Sequence, residues 1–204
     1  MYPAGQQGGA IEVADDAAVI AESTRTPERF GVIFDRHAPY IHRYVGRRLG
    51  AEVTDDLVAE TFLVAFRSRD RYDPTRTDAR PWLYGIATNL ISQHARKQAR
   101  WFRLGCSLAP EPDVACHADQ VVGDVVAQGT RAELTAALRG LSPGDRDVLL
   151  LVAWEDLTYE ETASALGIPV GTVRSRLNRA RRKVREALTA ADSTMTFEET
   201  LRDG

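Results

Sequence analysis

The chain has 204 residues, 44% of them hydrophobic, with 26 Lys and Arg against 29 Asp and Glu for a formal net charge of -3. That length leaves room for one or two domains with an ordinary core, and the balance of charge excludes a uniformly basic protein that would hold nucleic acid by net charge alone. The two cysteines, Cys106 and Cys116, make no disulfide framework and read as free thiols in a reducing compartment.

Residues 1 to 25 are rich in Gly, Ala and acid, and MYPAGQQGGA has neither a basic segment nor an apolar run. A mobile tail is expected there, with no signal peptide. Thr26-Pro27 reads as an N-cap followed by Pro at the first helical position, and Phe30, Ile33, Phe34 and His37 follow at helical spacing. Pro39 is expected to kink or restart this helix, whose apolar stripe continues through Tyr40, Ile41, Tyr44, Val45 and Leu49 to Gly50. Thr54 opens a helix with a wide apolar face of Leu57, Val58, Thr61, Phe62, Ala65 and Phe66 beside Asp55, Asp56 and Glu60.

RSRDRYDPTRTDAR, residues 67 to 80, is a polar loop with a turn at Asp73-Pro74. The next helix runs from about Pro81 to Phe102, with Leu83, Ile86, Ala87 and Leu90 facing inward. Gly85 inside it costs about 1 kcal/mol relative to Ala, which predicts a close neighbour at that position. Downstream, His94 to Arg103 interleaves cations with Trp101 and Phe102; the helix dipole accounts for cations at a C-terminus, but not for the aromatics.

Residues 104 to 120 read as a linker with two prolines. The spacing of Cys106, Cys116 and His117 matches no usual zinc pattern. Helical pattern resumes by Val121, and Leu134, Ala137, Leu138 and Leu141 give the following helix a buried face. Ser142-Pro-Gly-Asp145 caps another helix, carrying Val148, Leu149, Val152 and Ala153. Its apolar run, VLLLVAW, is far too short to cross a bilayer.

Thr158-Tyr-Glu-Glu161 has the form of a capping box and starts a short helix that stops at Gly167; Pro169 then stands where a second helix begins. In that second helix Val173, Leu177, Ala180, Val184 and Leu188 fall on one side, and Ser175, Asn178, Arg179 and Arg182 fall opposite. Two helices joined by a tight Gly turn, the second with an arginine face, form a helix-turn-helix whose second helix enters a DNA major groove. The alternative is a solvated basic face, but acids normally intersperse such faces, and none occurs between Arg174 and Arg185. The acids gather instead in the N-terminal tail and between Glu111 and Asp124, so basic stripes coexist with a negative sum.

Nothing reads as a strand. The expected fold is all-α: a tail to residue 25, a helical bundle over 26–103, a flexible linker over 104–120, a helix-turn-helix domain over 121–188 and a second tail over 189–204.

The two helical modules in this order resemble the extracytoplasmic-function RNA polymerase sigma factors of the sigma-70 family. LSPGDRDVLLLVAWEDLTYEETASALGIPVGTVRSRLNRARRKVREAL resembles sigma region four, and DDLVAETFLVAF with RPWLYGIATNL resembles sigma region two, so the likeness runs from about residue 27 to 188. It implies a cytoplasmic initiation subunit, not an enzyme, that binds core RNA polymerase and directs promoter recognition, DNA melting and transcription initiation. It implies core RNA polymerase, promoter DNA and an anti-sigma factor as partners, with no cofactor, metal, small-molecule substrate or membrane insertion.

Site residues follow from the same resemblance. Asp55, Asp56, Leu57, Val58, Glu60, Thr61 and Phe62 match the polymerase-binding helix, although Leu57 and Phe62 also read as plain core; Ala59 stands where the family usually has Gln. Arg80, Trp82, Tyr84, Asn89, Arg96, Lys97 and Arg100 match the segment that meets the minus-ten element. Packing is the preferred reading for Trp82, whereas the Asn89 carboxamide suits a base edge or phosphate. Thr172, Arg174, Ser175, Arg176, Asn178, Arg179 and Arg182 match the surface that touches the minus-thirty-five duplex. The loop from Asp73 to Arg80, with the Asn89 helix, is expected to capture unstacked bases. A stand-alone dimeric repressor would use the helix-turn-helix equally well but gives RPWLYGIATNL no role. An enzyme is disfavoured by four scattered histidines, without a matched nucleophile or phosphate loop.

Overall fold

The structure, a computed structural model, describes the backbone of residues 15–105 and 128–202 and the side chains within 15–101 and 134–189. The tail before residue 15, Cys106, Cys116, His117, most of the expected linker and the helical pattern at Val121 lie outside the described residues. Among the described residues, eight α-helices and three short 3-10 turns make up the regular structure, and no strand occurs.

The first helix, α1 (Asp16–Ser23), falls inside the stretch expected to be a mobile tail. Asp15 caps it by accepting from the Ala18 N–H at 2.7 Å, and Ala17, Val19 and Ile20 are buried. What anchors it is a buried carboxylate. Asp16 Oδ1 accepts from Arg36 at 2.9 Å, while Oδ2 meets His37 Nε2 at 2.7 Å and the Ala79 N–H at 2.9 Å. Burial by itself would raise the Asp16 pKa, but the hydrogen bonds from His37 and Ala79 and the charges beside it outweigh that and hold it at about 2. A carboxyl depressed in the folded state contributes stability in full above its unfolded value and loses it as pH falls through its folded value. Asp16→Asn should therefore cost on the order of 2 kcal/mol at neutral pH. Chemical denaturation across pH should show the gap to wild type closing between about pH 4 and pH 2; a gap independent of pH would contradict this role.

Thr26 makes no side-chain cap; Pro27 instead starts a 3-10 turn, Pro27–Phe30, that leads into α2 (Gly31–Leu49). Helix α2 runs through Pro39 as one element, burying Ile33, His37, Ile41, Tyr44 and Val45 at helical spacing. Helices α3 (Thr54–Arg67) and α4 (Arg80–Gly105) complete a bundle around these side chains. Between them the loop closes on itself: Asp73 Oδ1 accepts from the Thr75 amide at 3.0 Å and hydroxyl at 2.7 Å, and the Tyr72 hydroxyl donates to the Arg76 carbonyl at 2.7 Å.

The second half comprises α5 (Gln128–Arg139), α6 (Pro143–Ala153), α7 (Tyr159–Leu166) and α8 (Val170–Arg202). The capping box forms as expected: Thr158 Oγ1 accepts from the Glu161 N–H, and Glu161 Oε2 accepts from the Thr158 N–H at 2.8 Å. Gly167 ends α7 at φ 62°, ψ 36°, a left-handed conformation cheap for glycine, and the Ile168 N–H closes the cap on the Ala163 carbonyl at 3.0 Å. Helix α8 continues to Arg202, so its backbone is helical where a C-terminal tail was expected from residue 189.

The two halves pack directly against each other. Leu150, Leu151 and Leu157 belong to the same buried cluster as Ile41, Tyr44, Leu83 and Tyr84. Of the apolar residues noted on α6 in the sequence, Val148 is buried, Leu149 and Val152 are half-buried, and Ala153 is exposed. The cause is that α6 is covered from two directions: Val148 faces the helix-turn-helix, and Leu150 and Leu151 face the first bundle.

Candidate nucleic-acid interface

Helix α8 is set by its apolar side. Val173, Leu177 and Ala180 are completely covered by α5, α6 and α7, and one turn is 3.6 residues. Arg174, Ser175, Asn178, Arg179 and Arg182 consequently stand exposed on the other side, with Thr172 and Arg176 at its margins. Two arginines are steered by the first turn of α6. Arg179 Nη1 donates to Asp145 Oδ1 at 3.2 Å, and Asp145 is 2% exposed. The Arg176 guanidinium lies over Gly144, where a Cβ would come within 2.6 Å of Nη1. Sequence reading missed Asp145 because it doubles as an ordinary first-turn acid next to the Ser142 cap.

The expected downstream set divides. Asn89, Arg96, Lys97 and Arg100 are exposed along α4. Arg80 is half-buried and paired with Asp78 at 2.9 Å. Trp82 packs edge-on against Tyr72 at 5.0 Å between centroids, which agrees with the packing role. Tyr84 is a correction: it is 1% exposed, and its hydroxyl donates to Glu155 of the second half, because it lies on the inward side of α4. Trp82 and Asn89 line a cavity of about 390 Å³ together with Arg71, Tyr72, Asp73 and Arg76 from the preceding loop. Arg71 and Tyr72 sit just before the stretch singled out in the sequence. Hydrogen bonds from the Thr75 side chain and backbone hold the Asp73 carboxyl below the usual range, so the loop presents a fixed anion among cations.

The expected polymerase-binding set divides between buried and exposed residues. Leu57, Val58, Thr61 and Phe62 are buried, and Thr61 donates to the Leu57 carbonyl at 2.6 Å, so these four build the bundle. Asp55, Asp56 and Glu60 are exposed. Apolar groups beside them are Phe34, 45% exposed although the sequence places it on the apolar stripe of α2, and Leu63, 46% exposed and not singled out in the sequence. Phe34, Ala38, Pro39, His42, Asp55, Val58 and Ala59 line a shallow apolar groove there.

Comparison with known proteins places these elements. The family described as Sigma-70 region 2 matches residues 33–101, and that described as Sigma-70, region 4 matches residues 131–184. The chain is 34% identical over 156 residues to the ECF RNA polymerase sigma factor SigE of Mycolicibacterium smegmatis, covering 75% of this chain and 59% of SigE. It is 36% identical over 163 residues to the RNA polymerase sigma factor CarQ of Myxococcus xanthus, covering 79% of this chain and 90% of CarQ. In fold it is similar to the sigma factor RpoE of Bartonella quintana, solved in complex with the anti-sigma factor NepR. There the TM-score is 0.59 at 24% identity, over 79% of this chain and 98% of that one. No helix among the described residues is long and apolar enough to cross a membrane. With both halves matched in order, and relatives of this identity along most of its length, the chain belongs to the extracytoplasmic-function sigma factors of the sigma-70 family.

Proposed function

We propose that this chain is a dissociable initiation subunit, working in the cytoplasm, whose two halves have separate tasks. The exposed acids Asp55, Asp56 and Glu60, with Phe34 and Leu63, dock on core RNA polymerase. Arg174, Ser175, Asn178 and Arg179 read the edges of bases in the upstream duplex, where a good paired contact contributes about 1–3 kcal/mol of discrimination, and Arg182, Lys183 and Arg185 meet phosphates. Asn89 and the loop around Asp73 and Arg76 receive bases from the opened strand. Extruding a base costs a few kcal/mol, and stacking plus cationic contacts offset it, so strand opening is driven by binding and needs no catalytic group. An anti-sigma factor as third partner is supported by the complex solved for RpoE.

The observation that carries this reading is α8: Val173, Leu177 and Ala180 are buried on one side, and the other presents arginines with no acid between Arg174 and Arg185, on the second helix of a helix-turn-helix. A mobility-shift assay with and without core polymerase tests it. Promoter binding that is tight only with polymerase is the expected result. Equally tight operator binding by the free chain would favour a stand-alone repressor.

Asp145 gives a narrower test. A buried carboxylate holding Arg179 limits where that guanidinium can reach. Asp145→Asn should flatten the preference among upstream base substitutions by roughly tenfold, about 1.4 kcal/mol, with a thermal midpoint close to wild type. Unchanged preference in this variant would remove Asp145 from the readout.

A further inference from the structure

Helix α1 reaches both ends of the loop that leads into α4. At the exit, the Asp16 N–H donates to the Thr77 carbonyl at 3.1 Å, and Asp16 Oδ2 accepts from the Ala79 N–H at 2.9 Å. At the entry, Arg69 Nε donates at 3.2 Å to the carbonyl of Ser23, the last residue of α1. Arg69 is itself fixed, with Nη1 donating to the Phe66 carbonyl and the guanidinium 3.9 Å from the centre of the Phe66 ring. Helix α1 is in turn tied to α2, because Arg36 and His37 hold the Asp16 carboxylate at 2.9 and 2.7 Å. Between the two ties, Arg71, Asp73 and Arg76 stand exposed beside the cavity that holds Trp82 and Asn89. Burial of Ala17, Val19 and Ile20 explains why α1 packs at all, but not why its polar groups converge on this loop.

We propose that α1 braces the strand-capturing loop, with Asp16 and Arg69 as positioning residues that hold Arg71, Asp73 and Arg76 in place before DNA arrives. The inference rests on the assignment of Asn89 and this loop to opened promoter DNA. A free loop loses backbone conformations when it closes on a base, and that cost is subtracted from the contacts it makes. Ordered in advance by α1, the loop keeps those contacts at full strength. A loose loop also adapts to an unsuitable base, so releasing the brace lowers selectivity at the downstream element and leaves the upstream reading by α8 untouched.

Two variants release the loop from opposite ends. Asp16→Ala frees the exit, and Arg69→Met, which keeps the length of the side chain but removes its donors, frees the entry. Val45→Ala, at a buried position of α2 about two turns beyond His37, supplies a weakened bundle with both ties intact. Circular dichroism confirms folding, and Arg69→Met carries the test if Asp16→Ala does not fold. Amide exchange followed by mass spectrometry reads the loop over residues 69–79 in the full chain. Holoenzymes of each variant, given templates randomised separately in the upstream and downstream elements, read selectivity. The expected result is faster loop exchange in Asp16→Ala and Arg69→Met than in Val45→Ala. Preference among downstream bases should fall at least about fivefold in the same two variants, the lower end of one good base contact, with upstream preference at the wild-type value. Loop exchange no faster than in Val45→Ala would overturn the brace. Equal losses at both elements, or the same downstream loss in Val45→Ala, would overturn it in favour of general stability. Asn89→Ala separates the inference from the reading beneath it. If this variant flattens the downstream preference and the brace variants do not, the inference falls and the DNA assignment stands; if none of them does, the assignment falls and the inference with it.

Discussion

Phe62→Ala should destabilise the first bundle by about 3–5 kcal/mol, the usual cost of emptying a buried aromatic site. Phe62 is 5% exposed and meets Phe34 edge-on at 4.9 Å, so truncation leaves a cavity and an orphaned ring. A domain of this size has only about 5–15 kcal/mol in total, and soluble yield should fall with it. Asp56→Ala and Glu60→Ala, one turn apart on the exposed side of α3, should stay within about 0.5 kcal/mol of wild type while weakening the complex with core polymerase. Thermal melts beside polymerase pull-downs separate the two classes. A stable Phe62→Ala protein with lost polymerase binding would reverse the assignment.

Arg174→Ala is the second large effect. An exposed arginine on the reading side of α8 should lose about 1–3 kcal/mol on promoters carrying its preferred base and little on others. Lys183→Ala, also exposed, should weaken all promoters alike and reduce the salt dependence by about one counterion. Holoenzyme binding to a panel of upstream substitutions, at two salt concentrations, reads both quantities. Parallel losses across the panel in both variants would erase the distinction between base and phosphate contacts.

The helix-turn-helix was legible because its signals are local. A capping box and a Gly turn lie in contiguous sequence and formed as expected, and the apolar stripe is buried at Val173, Leu177 and Ala180 and half-buried at Val184 and Leu188. Gly85 was legible too, since a costly glycine inside a helix pointed to a close neighbour, and the neighbour is the Ala165 backbone. Features created by contacts between distant segments were hidden. Helix α1 has eight residues and a weak stripe, and its burial depends on His37, Arg36 and Ala79 meeting Asp16. Leu57 and Phe62 fit a core and a docking helix equally well, and only the packing of α2 on α3 decides. Tyr84 and Glu155 are 71 residues apart, and nothing in either neighbourhood announces the other.

The central claim is that this chain confers promoter selectivity on a polymerase that lacks it. Purified chain mixed with sigma-free bacterial core polymerase and a library of upstream sequences should yield transcripts starting at discrete sites that share an upstream and a downstream element. Transcripts no different from those of core polymerase alone would contradict it.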